Sequence, residues 1–482
     1  MWEIGTVEFF LYVTLAASLI APLTSPSGKR DNVAPLVMAG IGVGSFAVAA
    51  GLSLYASSLG SPLSFYSGLV VQDSFTSLML LGAAVASALF LLAVGTDGLQ
   101  WTSSPALYSL VPMALFGAFF LAGATNALVI LASWLLVSVI SYIIIASPDA
   151  REAKAAGIRY IYVGMVATLM LVSSLTFLAL ASSTYSFSIA PLADVNSAAR
   201  GLMALAALFL LAALGFKVGI FPFHWWLPSV YGRGDGRTVS FVAAVAKLAF
   251  LAVLTRTFII IASGGGLYKE VALTLAVLAV ATMTYGNVAA FTTRDLQVIL
   301  AYSSMAQVGY IFAAMAAASY FAGVGNEYML KLALFAVALQ SIAYAMAKAP
   351  LFAFMGEAGR GLDSLKGLMR SSPLSAVTAS VLLYSLLGVP PLLGFWGKLY
   401  MFFSAAGIAG YGIWLVLAAL INSGISSVYY ITASRELLRK DYEGTPRPRV
   451  RYSTALTIGA LLLLVLGIVA PLLLGSIVSI YL

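Results

Sequence analysis

Four lysines stand inside long apolar runs: Lys217, Lys247, Lys348 and Lys398. A lysine at mid-membrane costs about 2.5–3.5 kcal/mol on insertion scales, and residues of this kind mark ion or proton pathways. The chemistry within their reach is proton transfer. An amine withdrawn from water loses the hydration that favours its charged form, so it can take up and release a proton near neutral pH. A row of such amines, joined by hydroxyls and water, makes a proton wire. All seventeen Asp and Glu fall at the ends of apolar runs or between them, so the lysines are expected to lack carboxylate partners within the membrane. The structural alternative is that each lysine merely ties neighbouring helices together; four in one chain weigh against it. Supporting polar groups lie nearby: Tyr302, Ser303, Ser304 and Gln307 in one run, and Thr238 and Ser240 ahead of Lys247. Taken singly, a hydroxyl of this kind often bonds only its own helix at i−4.

The elements that must position these groups follow from composition. The 482 residues are 62% hydrophobic and 9% charged, against roughly 45–50% and about 25% in soluble domains. That excludes a soluble globular fold, and it excludes disorder, which needs low hydrophobicity and high net charge. Long unbroken apolar runs, not alternating ten-residue segments, exclude a transmembrane β-barrel. An all-α polytopic membrane protein remains. With no cysteine and a single histidine, His224, the chain has no means of building a disulfide, a thiolate metal site, an iron–sulfur centre or a bis-histidine haem site. No nucleophile–base pair is visible. The net charge of +8 reads as membrane topology, not as a nucleic-acid surface.

About fourteen runs are long enough to cross a bilayer: 4–24, 33–57, 75–95, 105–122, 124–146, 157–182, 201–222, 238–261, 271–290, 296–319, 329–356, 373–397, 403–434 and 453–481. Pro26-Ser27-Gly28, Gly264-Gly265-Gly266 and Pro446-Arg447-Pro448 punctuate the breaks. The first run has Glu3 and Glu8 but no preceding Lys or Arg, so it reads as an uncleaved span with its N-terminus outside. Odd-numbered connections carry seventeen basic residues: Lys29, Arg30, Arg151, Lys154, Arg159, Arg233, Arg237, Arg294, Arg360, Lys366, Arg370, Arg435, Arg439, Lys440, Arg447, Arg449 and Arg451. Even-numbered ones carry three, Arg200, Lys269 and Lys331. By the positive-inside rule the odd loops face the cytoplasm and both termini face outward. The basic loop near 435–451 would meet anionic lipid or peripheral subunits. Arg256, near the end of its span, is expected to snorkel. Gly40, Gly42 and Gly44 suit close helix packing. Aromatic residues near span ends read as interfacial anchors.

Two spans are interrupted, at Gly215 to His224 and at Gly388 to Lys398, each combining Gly, Pro and a lysine within about ten positions. Paired discontinuous helices point to inverted repeats around a midplane site. The expected division is three spans in 1–104, a five-helix repeat in 105–261, a second inverted repeat in 271–434, and a basic loop with a final span in 435–482. Lys217 and Lys398 would then hold equivalent places.

These two segments also carry a resemblance. FKVGIFPFHWWLPSVY at 216–231, LAYSSMAQVGYIF at 300–312 and GVPPLLGFWGKLYMF at 388–402 resemble the signatures of the antiporter-like subunits of respiratory complex I. Mrp-type sodium/proton antiporter subunits and membrane-bound hydrogenase subunits share that family. Lysine after Gly394-Phe395-Trp396-Gly397 is more similar to the N- or L-type than to the M-type. AMAKAPLFAFMG around Lys348 is more similar to L and M, and the lack of a long lateral helix argues against L, so the N-type is favoured. The resemblance implies that Lys217 is the pumping lysine, Lys247 the linking residue, Lys398 the outlet, Lys348 part of the polar eleventh helix, and His224 the motif histidine. It also implies a prokaryotic cell membrane. Sister antiporter-like subunits, small membrane subunits and peripheral redox subunits would be the partners, and quinone, FMN and iron–sulfur clusters would be held by those partners alone.

The sequence departs from the family pattern at four places. The glutamate that usually pairs with the pumping lysine aligns with Leu135, the acid after the Trp-x-Pro motif is Ser229, the histidine before the eleventh-helix lysine is Tyr344, and the usual basic pair is Gln297-Val298. The leading expectation is a proton-translocating subunit of a redox-driven complex. A subunit of a sodium/proton antiporter, or a structural subunit that has lost pumping, are the alternatives. The shortage of buried acids counts against sodium, which prefers oxygen ligands.

Overall fold

The computed structural model describes residues 2–24, 33–60, 62–95, 105–181, 199–264, 267–440 and 453–480. Lys29, Arg30, Arg447, Arg449 and Arg451 lie outside the described residues, as do Pro26-Ser27-Gly28, Gly265-Gly266 and Pro446-Arg447-Pro448. In hydrocarbon every backbone N–H and C=O must be satisfied within the chain, so the apolar runs become helices. In order they are α1 (Trp2–Ile20), α2 (Ala34–Ser58), α3 (Ser74–Val94), α4 (Leu110–Gly123), α5 (Ala127–Ala146), α6 (Arg151–Ala181), α7 (Arg200–Val218), α8 (Leu227–Tyr231), α9 (Gly236–Phe241), α10 (Lys247–Gly264), α11 (Tyr268–Ala290), α12 (Leu296–Val324), α13 (Glu327–Ala358), α14 (Leu368–Ser371), α15 (Pro373–Leu387), α16 (Leu393–Ala406), α17 (Gly412–Leu438) and α18 (Ser453–Ile480). Among the described residues twelve helices are long and apolar enough to span a membrane, and Leu107–Gly123 and Pro373–Leu387 are shorter apolar helices.

Three of the acids at span ends cap helices. Asp73 accepts from Thr76 N at 2.8 Å, and Asp295 accepts from Gln297 N at 2.9 Å. Asp235 accepts from Arg237 N at 2.9 Å. Each satisfies backbone donors that a helix start leaves open.

A π turn, Val242–Ala246, joins α9 to α10, and this composite helix is buried from Thr238 to Thr255. Nearly as deep lie α12 and α13, whose small residues let backbones approach closely. A Cβ on Gly286 of α11 would lie 2.8 Å from the Tyr302 carbonyl oxygen of α12. Of the glycines in α2, Gly42 alone packs tightly, against Pro112; Gly40 and Gly44 face open space.

Both interrupted spans break as expected, at Gly219 (φ +77°) and Gly388 (φ +93°), left-handed positions that glycine adopts without a Cβ penalty. A proline follows three residues later in each, at Pro222 and Pro391. Counted from these glycines, Lys217 precedes its break by two residues and Lys398 follows its break by ten. Helix limits also shift. Residues 403–406 finish α16, and the next long helix starts at Gly412, after a turn containing Gly410 (φ +87°).

The loops segregate by parity. Arg360 donates to Glu152 (3.5 Å) and to the Arg233 carbonyl (3.0 Å), and Leu362 N donates to the Arg294 carbonyl (3.0 Å), so four odd-numbered loops meet on one face. A hairpin of β1 (Leu63–Phe65) and β2 (Val70–Gln72), which the hydropathy pattern does not reveal, joins an even-numbered loop to another through Thr125 N and the Leu69 carbonyl (3.1 Å). Arg256 does not snorkel freely. Its guanidinium donates to the Val71 carbonyl at 2.6 Å and secures that hairpin.

Candidate functional site

Lys217 occupies the last turn of α7, 3% exposed. Its ammonium donates to Tyr142 Oη of α5 at 2.9 Å. Four rings surround Nζ: Tyr142 at 4.6 Å, Phe250 at 5.0 Å, Tyr160 at 5.3 Å and Trp134 at 5.4 Å from their centroids. Cations sit favourably over such ring faces. The place expected for the missing glutamate, Leu135, is turned outward and 42% exposed, while its neighbour Trp134, fully buried, faces the lysine.

From this cage the rings continue. Tyr160 stacks on Trp226 at 5.1 Å, and Trp226 meets Tyr231 edge-on at 5.7 Å. Lys247, directly after the π turn, places Nζ 5.4 Å from both Tyr231 and Tyr344. Its ammonium has no hydrogen-bond partner among the described residues. Tyr344 also borders Lys348, whose Nζ lies 6.0 Å from the same ring.

Beyond Tyr344 the lining changes from rings to hydrogen-bonding groups. Lys348, fully buried on α13, donates to the Leu300 carbonyl (2.7 Å) and to Ser303 Oγ (2.9 Å). Ser303 meets the hydroxyl of Tyr430. Gln307 donates to Tyr430 Oη (3.1 Å) and to the Leu386 carbonyl (2.8 Å), and Gln340 donates to Gln307 Oε1 (2.6 Å). Lys398 donates to the next carbonyl, Leu387 (2.8 Å), and to Ser423 Oγ (3.1 Å), with its Nζ 4.5 Å from the Tyr310 ring. Leu386 and Leu387 end α15, where helix carbonyls lose their intrahelical donors. The break thus supplies the acceptors that bring Gln307 and Lys398 to adjacent peptide groups. None of the ion pairs among the described residues involves these four lysines.

Of the expected polar residues, Ser303, Gln307 and Tyr344 join the row, and Thr238, Ser240, Ser304, Tyr302 and His224 do not. Thr238 and Ser240 bond the carbonyls of Asp235 and Arg237 in their own turn (3.0 and 2.9 Å). Ser304 bonds Leu300 one turn back (2.8 Å). Tyr302 is half-buried and makes no hydrogen bond to the row among the described residues. His224 packs against Tyr285 (4.1 Å) and Phe221 (5.6 Å), away from the lysines. Sequence reasoning missed Tyr142, Tyr160, Trp226, Tyr231, Gln340, Ser423 and Tyr430. Aromatic side chains read as interfacial anchors serve here as ring linings around buried cations.

Comparison with known proteins places this architecture. The family described as NADH:quinone oxidoreductase/Mrp antiporter, TM, matches residues 124–426. NADH-quinone oxidoreductase subunit N 2 of Solidesulfovibrio magneticus is 33% identical over 387 residues, 77% of each chain. NADH-quinone oxidoreductase subunit N of Desulfitobacterium hafniense is 28% identical over 437 residues, 88% of this chain and 86% of the relative. Among solved structures, a chain of respiratory complex I from Thermus thermophilus superposes with a TM-score of 0.77 at 26% identity, covering 97% of this chain and 99% of the other. A chain of the Mrp complex from a Dietzia species superposes with a TM-score of 0.84 at 19% identity, covering 100% and 97%, which shows a shared fold. Three interrupted or polar segments in one buried core, the matched span and these relatives agree: the chain belongs to the NADH:quinone oxidoreductase/Mrp antiporter transmembrane family.

Proposed function

We propose that this chain is the N-type, proton-translocating membrane subunit of a redox-driven complex. The observation that carries the reading is the buried row of lysines without carboxylate partners, joined by rings from Lys217 to Lys348 and by hydrogen-bonding groups from Lys348 to Lys398. The names of the curated relatives support it. Partner subunits hold the quinone, FMN and iron–sulfur clusters and deliver the energy as a conformational or electrostatic change. The chain sits in a prokaryotic cell membrane beside sister antiporter-like and small membrane subunits, with both termini outside and the basic loops on the cytoplasmic side. Residues 105–261 and 271–434 act as two inverted repeats, each with its interrupted span.

The proton steps run between this chain's residues, with water bridging where their side chains do not touch. Lys217 releases a proton from its ammonium, and Lys247, with no fixed partner, accepts it as an amine. Lys247 and Lys348 border one ring, and like charges this close in a poorly polarisable interior repel, so a proton arriving on one favours release from the other. The Ser303, Tyr430 and Gln307 run then leads to Lys398. Buried polar atoms such as Lys247 Nζ and Trp226 Nε1 lack protein partners among the described residues, and bridging water satisfies such groups.

The test is Lys217→Ala in the assembled complex, reconstituted in vesicles. Electron transfer should persist while protons moved per electron fall. Unchanged stoichiometry would favour the structural-subunit reading. The sodium reading rests on likeness of fold, and proton uptake that persists in sodium-free medium would count against it.

A further inference from the structure

The cage around Lys217 does more than shelter it. We propose that Tyr142 takes the place of a carboxylate as the hydrogen-bond partner that positions Lys217 in both its charged and neutral forms, with Trp134, Tyr160 and Phe250 holding the charged form by their ring faces. The inference rests on the proton-transfer reading above. A carboxylate binds the ammonium and loses its hold on the neutral amine. A phenol serves both states. Its oxygen accepts an N–H bond from the ammonium, as the 2.9 Å contact shows. Once a proton has left through another N–H, its O–H turns to donate to the amine lone pair. The phenol itself stays protonated throughout, so one proton leaves the nitrogen and no other bond is broken.

The neighbouring helix is built around this placement. A Cβ on Gly164 of α6 would lie 1.6 Å from Tyr142 Oη and 2.3 Å from its Cζ. Glycine inside a helix is unfavourable relative to alanine, and here it opens the space the phenol fills. One turn on, Thr168 accepts from Trp134 Nε1 at 3.0 Å and donates to the Gly164 carbonyl at 2.8 Å. A single helix face therefore fixes both the partner hydroxyl and the deepest ring of the cage.

The consequence is electrostatic. Rings carry a quadrupole and no net charge, so a protonated Lys217 presents its whole charge toward Lys247 with no ion pair to neutralise it. Proton occupancy of Lys217 is then set by the cage and by charge on Lys247, and no pair has to be pulled apart before transfer.

The experiment uses the assembled complex in vesicles and records protons per electron across pH. Tyr142→Phe keeps the ring and removes the hydroxyl; Gly164→Ala displaces the phenol without altering a cage residue. Each should lower proton yield by about fivefold, the weight of one net hydrogen bond, and shift the pH profile, while electron transfer is retained. Ser173→Ala, on the exposed side of α6, removes a hydroxyl that donates to the Leu169 carbonyl of its own helix (3.0 Å) and should stay close to the parent. If Lys217→Ala loses pumping while Tyr142→Phe and Gly164→Ala keep the parent yield and pH profile, the Tyr142 inference is overturned and the lysine reading stands. If Lys217→Ala also leaves the yield unchanged, both are overturned.

Discussion

The two ends of the lysine row are built differently. Around Lys217 and Lys247 the lining is aromatic, six rings within 5.4 Å of one Nζ or the other, and among the described residues Lys217 makes one side-chain hydrogen bond and Lys247 none. Around Lys348 and Lys398 each ammonium donates to a backbone carbonyl and a serine hydroxyl. Ring faces attract a cation over a broad range of positions, whereas a hydrogen bond weakens steeply off its line. The first half is suited to let a proton arrive and leave as neighbouring charge changes. The second half defines a directional path through side chains on α12, α13, α15 and α17.

Three changes would break or sharpen this contrast. The largest effect is expected from Lys348→Met, which removes the group shared by both linings; proton yield per electron in vesicles should fall roughly tenfold or more, the scale of losing a proton-transfer group. Tyr430→Phe comes next. It removes the hydroxyl between Ser303 and Gln307 and keeps the ring, so yield should fall about fivefold, and an unchanged yield would show that the polar run is not the path. Smallest is Ser304→Ala. That hydroxyl donates to the Leu300 carbonyl of its own helix at 2.8 Å, and its loss should leave yield and thermal stability within about twofold in rate and 1 kcal/mol. Outside the membrane, the Lys366 ammonium, 2.5 Å away, holds the Asp363 carboxyl below the usual carboxylate range. The Asp363 carboxyl is open to solvent and Lys366 is half-buried, and a pair at the surface of this kind carries little weight in folding.

The sequence made parts of this site legible for physical reasons. A lysine in an apolar run is conspicuous because insertion is costly, and Gly-Pro clusters mark breaks because they cannot continue a helix. Asp73, Asp235 and Asp295 are held at span ends as helix caps, and no ion pair among the described residues reaches the four lysines. The ring cage was not legible. Trp134, Tyr142, Tyr160 and Phe250 lie on three helices, α5, α6 and α10, in a chain with 12% aromatic residues, and nothing in their spacing separates a cage from an interfacial belt. Tyr430 and Ser303 are 127 positions apart. Thr238 and Ser240 resembled wire components from composition, yet a polar side chain beside its own turn bonds that turn first. The hairpin at 63–72 is too short to leave an alternation that stands out from its apolar flanks.

The central claim is that Lys217, Lys247 and Lys348 share one proton path. An experimental density map of the assembled complex that resolves ordered water tests it most directly. The account predicts water touching Lys247 Nζ and leading toward both Lys217 and Lys348. Tightly packed apolar side chains on both sides of Lys247, in a map where water is resolved elsewhere in the core, would contradict it.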